Sequence, residues 1–239
     1  MSPLRAVLFD AGNTLVFLDH ARLASGVGEA LGLPLSAEAL AAQVPVASQA
    51  MERAGGSDRE RAAVYLETIF LGAGVPPDRL GEVRDCLARM HGERHLWCSV
   101  QSGSAESLAR LKAAGLRLGV VSNSDGRVEQ ALAAAGLRDY FDVVIDSALV
   151  GLEKPDSRIF RAALDALGVL PEEALYVGDL YEIDVLGAQA AGLRAILFGP
   201  PLGETMPICP TTSSIRDLVD ALLSGETVMT PSPGRAGDR

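Results

Sequence analysis

The apolar positions of the chain fall into short continuous runs set between longer stretches of helical spacing. The first run, Ala6-Val7-Leu8-Phe9-Asp10, closes on the turn-like Ala11-Gly12-Asn13 and predicts a strand buried on both faces. Leu118-Gly119-Val120-Val121 leads into Ser122-Asn123, Val143-Val144-Ile145 into Asp146-Ser147, and Ala174-Leu175-Tyr176-Val177 into Gly178-Asp179, so three more strands end on polar groups. Arg194-Ala195-Ile196-Leu197-Phe198 predicts a fifth strand without such an ending. Helical patterns fill 104–114, 127–135 and 156–167, and each is followed by a glycine (Gly115, Gly136, Gly168) that acts as a stop signal. Strands alternating with helices of this length predict right-handed crossovers and a parallel sheet with helices on both faces. Ligands of such sheets bind outside the carboxyl ends of the strands, where the polar groups converge.

The stretch from 17 to 98 breaks the alternation, because its apolar positions are helical throughout and no convincing strand interrupts them. Leu80, Val83, Leu87 and Met90 share one helix face, and Ala62, Tyr65, Leu66 and Ile69 mark another. An all-helical cap domain inserted after the first strand, lying over the rim like a lid, is expected. The predicted organisation is an α/β, Rossmann-like core in two parts, 1–16 and 99–223, a helical cap at 17–98, and a mobile tail at 224–239 that lacks the apolar content to pack.

Composition narrows the function classes. The formal charge of -10 argues against nucleic acid and anionic membranes as partners, and an anionic substrate would need local positive charge or a metal. Three cysteines, Cys86, Cys98 and Cys209, form no disulfide framework, which fits a reducing, cytoplasmic compartment. No signal peptide is readable at the N-terminus, and no run approaches the roughly 18 to 20 apolar residues of a membrane helix, so a soluble protein is expected. Oligomeric state has no legible signature.

Taken singly, the polar strand ends read as caps and turns as readily as chemistry. Their order and kind distinguish them: Asp10, then Ser122-Asn123, then Lys154 in Glu153-Lys154-Pro155-Asp156, then Asp179 and Asp184 in Gly178-Asp179-Leu180-Tyr181-Glu182-Ile183-Asp184. Three carboxylates, an ammonium group and a hydroxyl on one rim suit phosphoryl chemistry at a hard divalent cation. A carboxylate beside such a cation can attack phosphorus, dividing one hard displacement into two easier ones.

At these residues the sequence resembles the haloacid-dehalogenase-like hydrolase superfamily, in the branch whose helical cap follows the first core strand. The resemblance is carried by Asp10-Ala11-Gly12-Asn13-Thr14-Leu15, Val120-Val121-Ser122-Asn123, Lys154-Pro155-Asp156, and Gly178-Asp179 through Asp184, continued by Gly187-Ala188-Gln189-Ala190-Ala191-Gly192. It implies a magnesium-dependent hydrolase of a small phosphorylated metabolite. Asp10 would be nucleophile and metal ligand, Ser122 and the Asn123 backbone would bind phosphoryl oxygens, and Lys154 would neutralise charge. Asp179, Asp184 and the Gly12 carbonyl would complete the protein side of the Mg2+ site.

The departure is at position 12, where phosphatases of this family carry a second aspartate that protonates the leaving oxygen. Three accounts of Gly12 are open: a substrate with a good leaving group (acyl phosphate, anhydride or aryl phosphate), a proton supplied from the cap by Asp19 or His20, or a catalytically weakened protein that binds phosphate and metal. Family dehalogenases also lack this aspartate, but retention of Asp179 and Asp184 argues for metal. A signalling receiver domain uses similar groups, yet gathers its acid pair at the first strand, unlike this chain. His91 and His95, four apart with Cys98 nearby, have spacing conceivable for zinc. The metalloprotease pattern fails because Gly92 follows the first histidine, so both histidines are expected to decorate a helix end, with Trp97 packing at the hinge.

Overall fold

The computed structural model describes residues 2–199 and 209–225. In chain order, β1 (Ala6–Phe9) is followed by β2 (Phe17–Leu18), five helices, α1 (His20–Leu31), α2 (Ala37–Ala41), α3 (Val44–Arg53), α4 (Asp58–Gly72) and α5 (Leu80–Glu93), and then β3 (Trp97–Ser99). The alternating part continues with α6 (Ser104–Ala113), β4 (Arg117–Ser122), α7 (Val128–Ala134), β5 (Val143–Asp146), α8 (Ser147–Val150) and α9 (Ser157–Leu167). It closes with β6 (Ala174–Gly178), α10 (Gly187–Ala190), β7 (Arg194–Phe198), β8 (Thr211–Thr212) and α11 (Ile215–Ser224).

The main sheet has six strands in the order β5-β4-β1-β6-β7-β8, and every pairing in it is parallel. From β1 the chain builds outward to β4 and β5, then crosses back to β6 on the other side, so the strand order reverses at β1. That reversal opens a crevice at the carboxyl ends of β4, β1 and β6, where open α/β sheets take ligands.

The continuous apolar runs are explained by burial on both faces. In β1, Val7 and Phe9 pack with Leu108, Leu111, Leu132 and Leu218 on one side, while Ala6 and Leu8 pack with Ile159, Phe160, Leu164 and Ala188 on the other. The helices between strands begin and end as their polar residues dictate. Asp156 caps α9 by accepting from Arg158 N, and Gly168 closes it in the left-handed region at φ 64°. The cap of α7 comes from elsewhere: Asp146, at the end of β5, accepts from Val128 N at 3.2 Å and Gly126 N at 3.0 Å.

Helices α1 to α5 form their own core around Leu23, Val27, Leu40, Tyr65, Ile69, Phe70, Val83 and Leu87. Val83, Leu87 and Met90 are buried as their spacing predicts, and Ser57 with Glu60 closes a capping box at the start of α4. The stretch from 17 to 98 is not purely helical, however. Phe17 pairs antiparallel with Ser99 and Leu18 with Trp97, a two-stranded ribbon at the neck of the insertion. Two and three residues are too short to show alternation, which is why the pattern hid them. Ser224 is the last residue of α11, so the expected tail starts inside a helix, and its remainder from 226 lies outside the described residues. No helix among the described residues is long and apolar enough to cross a membrane.

Candidate active site

The five polar residues singled out along the chain do meet at the carboxyl ends of β4, β1 and β6. Lys154 is buried, and its Nζ donates to Asp10 Oδ1 at 2.6 Å and to Asp184 Oδ1 at 2.7 Å. Carboxylate oxygens of Asp10, Asp179 and Asp184 lie within 4.8 Å of one another. Gly178 makes that packing possible, because a Cβ there would land 2.6 Å from Asp184 Cβ. After it, a π-helical turn over Tyr181–Leu186 brings Asp184 back beneath the strand end, where Leu180 N donates to its Oδ2 at 3.0 Å.

Asn123 adds a side-chain role to the one expected of its backbone. Its side chain is spent on the loop carrying Lys154, accepting from Lys154 N at 2.8 Å and donating to Lys154 O at 3.1 Å, so it positions the ammonium. Ser122 is buried at the end of β4, and its hydroxyl makes only a 3.4 Å contact to the Asn123 carbonyl, which leaves it able to turn toward a ligand.

The electrostatics follow from placing three acids around one base out of water. Burial pushes the Asp10 carboxyl up to about 7, with Asp184 adding to the rise and Lys154 opposing it. Burial also holds Asp179 well above the usual carboxylate range, reinforced by Asp10 and Asp184. Burial opposes the Lys154 ammonium, yet Asp10 and Asp184 outweigh it and raise its pKa. With all three acids ionised, one ammonium leaves an excess of two negative charges, which one divalent cation would balance. An all-oxygen donor set fits a hard ion such as Mg2+, so the residues present suit the expected cofactor.

Several residues of the site escaped the sequence. Tyr176, an interior strand residue, places its hydroxyl 3.1 Å from Lys154 Nζ and 3.0 Å from Asp184 Oδ1. Asn13 adopts a positive φ of 55° and reaches Asp179 Oδ2 at 3.4 Å, while its own Oδ1 accepts from Tyr65 Oη and Trp97 Nε1, each at 3.3 Å. Trp97 therefore belongs to the site itself, not merely to the hinge. Its Nε1 lies 3.6 Å from where a Cβ on Gly12 would stand, so an indole N–H borders the place of the missing second carboxylate.

Above these groups lies a cavity of about 630 Å3, walled below by Asp10, Gly12, Ser122, Lys154 and Asp179 and above by Ala62, Leu66, Val83 and Leu87 of the insertion. Ala62 and Leu66 thus face the cavity, Leu66 while also packing against the insertion's core. Asp19 and His20 do not line it. Asp19 caps α1 by accepting from Arg22 N, and His20 Nε2 is buried without a hydrogen-bond partner among the described residues. His91 and His95 do line it, together with Asp125; Cys98 instead takes a 2.8 Å contact from Arg94 and does not join them.

Comparison with known proteins agrees with this architecture. Residues 4–192 match the family model described as haloacid dehalogenase-like hydrolase. Haloacid dehalogenase-like hydrolase domain-containing protein 3 of Mus musculus is 40% identical over 157 residues, 65% of this chain and 59% of the relative. A phosphoserine phosphatase of Thermus thermophilus is 34% identical over 177 residues, 74% of this chain and 68% of the relative. Among solved structures, the HAD-hydrolase YfnB of Bacillus subtilis bound to magnesium has a TM-score of 0.69 at 20% identity, covering 92% of this chain and 99% of its own. With the family model spanning most of its length, the chain belongs to the haloacid dehalogenase-like hydrolase family.

Proposed function

We propose that the protein is a magnesium-dependent phosphatase of a small phosphorylated metabolite and that it works through a phosphoryl group carried transiently on Asp10. The observation that carries this is the convergence of Asp10, Asp179 and Asp184 on the buried Lys154, beside Ser122 and at the floor of a closed-over cavity. The phosphatase named among the relatives supports the reaction class.

Asp10, Asp179 and Asp184, with the Gly12 carbonyl, would hold the Mg2+. Bound there, the ion offsets carboxylate and phosphate charge and polarises the phosphoryl oxygens. Lys154 holds Oδ1 of Asp10, so its other oxygen is the one aimed at phosphorus. Attack forms the bond from that oxygen to phosphorus, and the bond to the leaving oxygen breaks with its electron pair. Ser122 donates to a phosphoryl oxygen, and Lys154 balances the charge. Water then attacks the same phosphorus, releasing phosphate and restoring the Asp10 carboxylate.

Gly12 provides no proton for the leaving group. Trp97 already donates its indole N–H to Asn13 Oδ1 and cannot give up that proton, so the site favours substrates whose leaving group departs as an anion. The apolar cap wall and the Trp97 face favour an aryl phosphate within that class. A panel of aryl, acyl and alkyl phosphates with Mg2+ tests this. Aryl and acyl substrates should be cleaved fastest. Gly12→Asp, whose Cβ meets Trp97 only at 3.6 Å and 3.7 Å, should raise alkyl turnover by up to about a hundredfold to ten-thousandfold. If nothing is cleaved while Mg2+ and phosphate still bind, the protein is the weakened binding protein that Gly12 also allows.

A further inference from the structure

The cavity wall carries a second group of metal-ligating side chains, at the joint between the insertion and the core. His91 lies in the last turn of α5, His95 follows four residues later, and Asp125 comes from the loop after β4. One ligand atom from each lies within 4.8 Å of the others. His91 Nε2 stands 2.9 Å from Asp125 Oδ2, and His95 Nε2 stands 3.9 Å from Asp125 Oδ1. The two rings are 4.6 Å apart between centroids and steeply inclined.

The hydrogen bonding around His95 gives this group its direction. Its Nδ1 is 3.1 Å from the Trp97 carbonyl oxygen, an acceptor only, so the ring proton belongs on Nδ1 and the Nε2 lone pair faces Asp125. Two acceptors facing each other at 3.9 Å repel unless a positive charge lies between them. A proton is disfavoured, since burial and the neighbouring His91 lower the His95 pKa. A zinc-class ion, with ligand bonds of about 2.0–2.1 Å, joins donors roughly 3.3 Å apart at the tetrahedral angle and about 4 Å apart as that angle opens. Arg127 holds Asp125 through Oδ2, which leaves Oδ1 for the ion. Coordination by His91 Nε2 moves its proton to Nδ1, so the ion takes the place of the 2.9 Å hydrogen bond to Asp125 Oδ2 and the 3.3 Å contact from Leu96 N is given up.

We propose that His91, His95 and Asp125 form a second cation site, separate from the acid cluster and taking a zinc-class transition ion in preference to Mg2+. Two imidazoles and one carboxylate select a borderline ion over magnesium, whereas the three acids below select the reverse. Three protein ligands leave an open position toward the cavity. An ion bound here fastens the end of α5 to the loop after β4, and so holds the insertion closed over the core.

The test is zinc uptake by the full chain in saturating Mg2+, read as bound metal per chain by equilibrium dialysis, with Co2+ absorption as the signature of nitrogen ligation. Wild-type protein should take up one zinc per chain. His95→Ala and the near-isosteric Asp125→Asn should each weaken uptake at least tenfold. Asp179→Asn and Cys98→Ser should leave it unchanged. Absence of uptake in wild type, retention in both His95→Ala and Asp125→Asn, or loss in Asp179→Asn or Cys98→Ser would each overturn the site. Far-ultraviolet circular dichroism of every variant separates lost ligation from lost folding.

Discussion

Beneath Lys154 one buried hydroxyl serves three neighbours. Tyr176 Oη accepts from Lys154 Nζ, and its single proton is offered to Asp184 Oδ1 at 3.0 Å or to the Val121 carbonyl at 3.1 Å. Burial drives its pKa well above the ordinary tyrosine value, so it stays a neutral donor. Tyr176→Phe keeps the ring edge-on to Phe160 and removes only that hydroxyl. Buried polar groups left short of a partner cost about 1–3 kcal/mol, and that loss of stability is expected in urea unfolding, together with a fall in kcat as Lys154 is freed to shift. Of the residues that the sequence singled out, Asp10, Ser122 and Asp179 are polar groups at or just past the ends of apolar runs, and Lys154 and Asp184 stand in the polar turns beyond them. Tyr176 was hidden because an aromatic inside an apolar strand reads as core. Tyr65 and Trp97 were hidden because they reach Asn13 across 52 and 84 residues of chain, contacts that no local spacing records.

Among the elements, strands β1, β4, β5, β6 and β7 and helices α6, α7 and α9 were legible to within a residue or two, because burial on both faces and glycine stops leave strong local signals. The ribbon of β2 and β3, the short β8 and the π-helical turn were not: each is held by contacts to other elements, and none is long enough to carry a period. Helix α1 yields a pH prediction. His20, its first residue, is half-buried, and burial lowers its pKa below 6.5 although Asp19 pulls the other way. The unfolded chain therefore binds this proton more readily than the folded one. The stability is present above 6.5 and is lost as pH falls through the folded value. On acidification from about pH 7.5 to about 5.5 this contribution lowers Tm, against the rise expected from Asp10 and Asp179, whose raised carboxyls take up protons in the folded form. His20→Gln should remove the His20 contribution alone, so the Tm of the variant should gain on that of the wild type as pH falls.

Across the whole molecule, the insertion and the core are joined by polar contacts that surround the cavity. Asp58 N donates to Glu153 Oε2 at 3.2 Å, Glu182 N to Glu52 Oε1 at 2.9 Å, Arg127 Nη1 to the His91 carbonyl at 3.0 Å, and Tyr65 to Asn13. That 17–98 differs from the alternating background could be read from its helical period. Its fit over the rim could not, since these joints are single side chains meeting from distant parts of the chain. The unbalanced acid cluster at the centre gives a global prediction. Mg2+ that binds only the folded form should stabilise it by about 2.7 kcal/mol at a hundredfold excess over its dissociation constant. A chelator should reverse the accompanying rise in Tm, and Asp179→Asn should abolish it.

The most direct test of the account is to mix the protein with an aryl phosphate and Mg2+, quench within a single turnover, and measure the mass of the peptide carrying Asp10. The account predicts one phosphoryl group on Asp10, present only with Mg2+ and absent from Asp10→Asn, which should also lose turnover. Full turnover by Asp10→Asn, or a phosphoryl group on another residue, would contradict it.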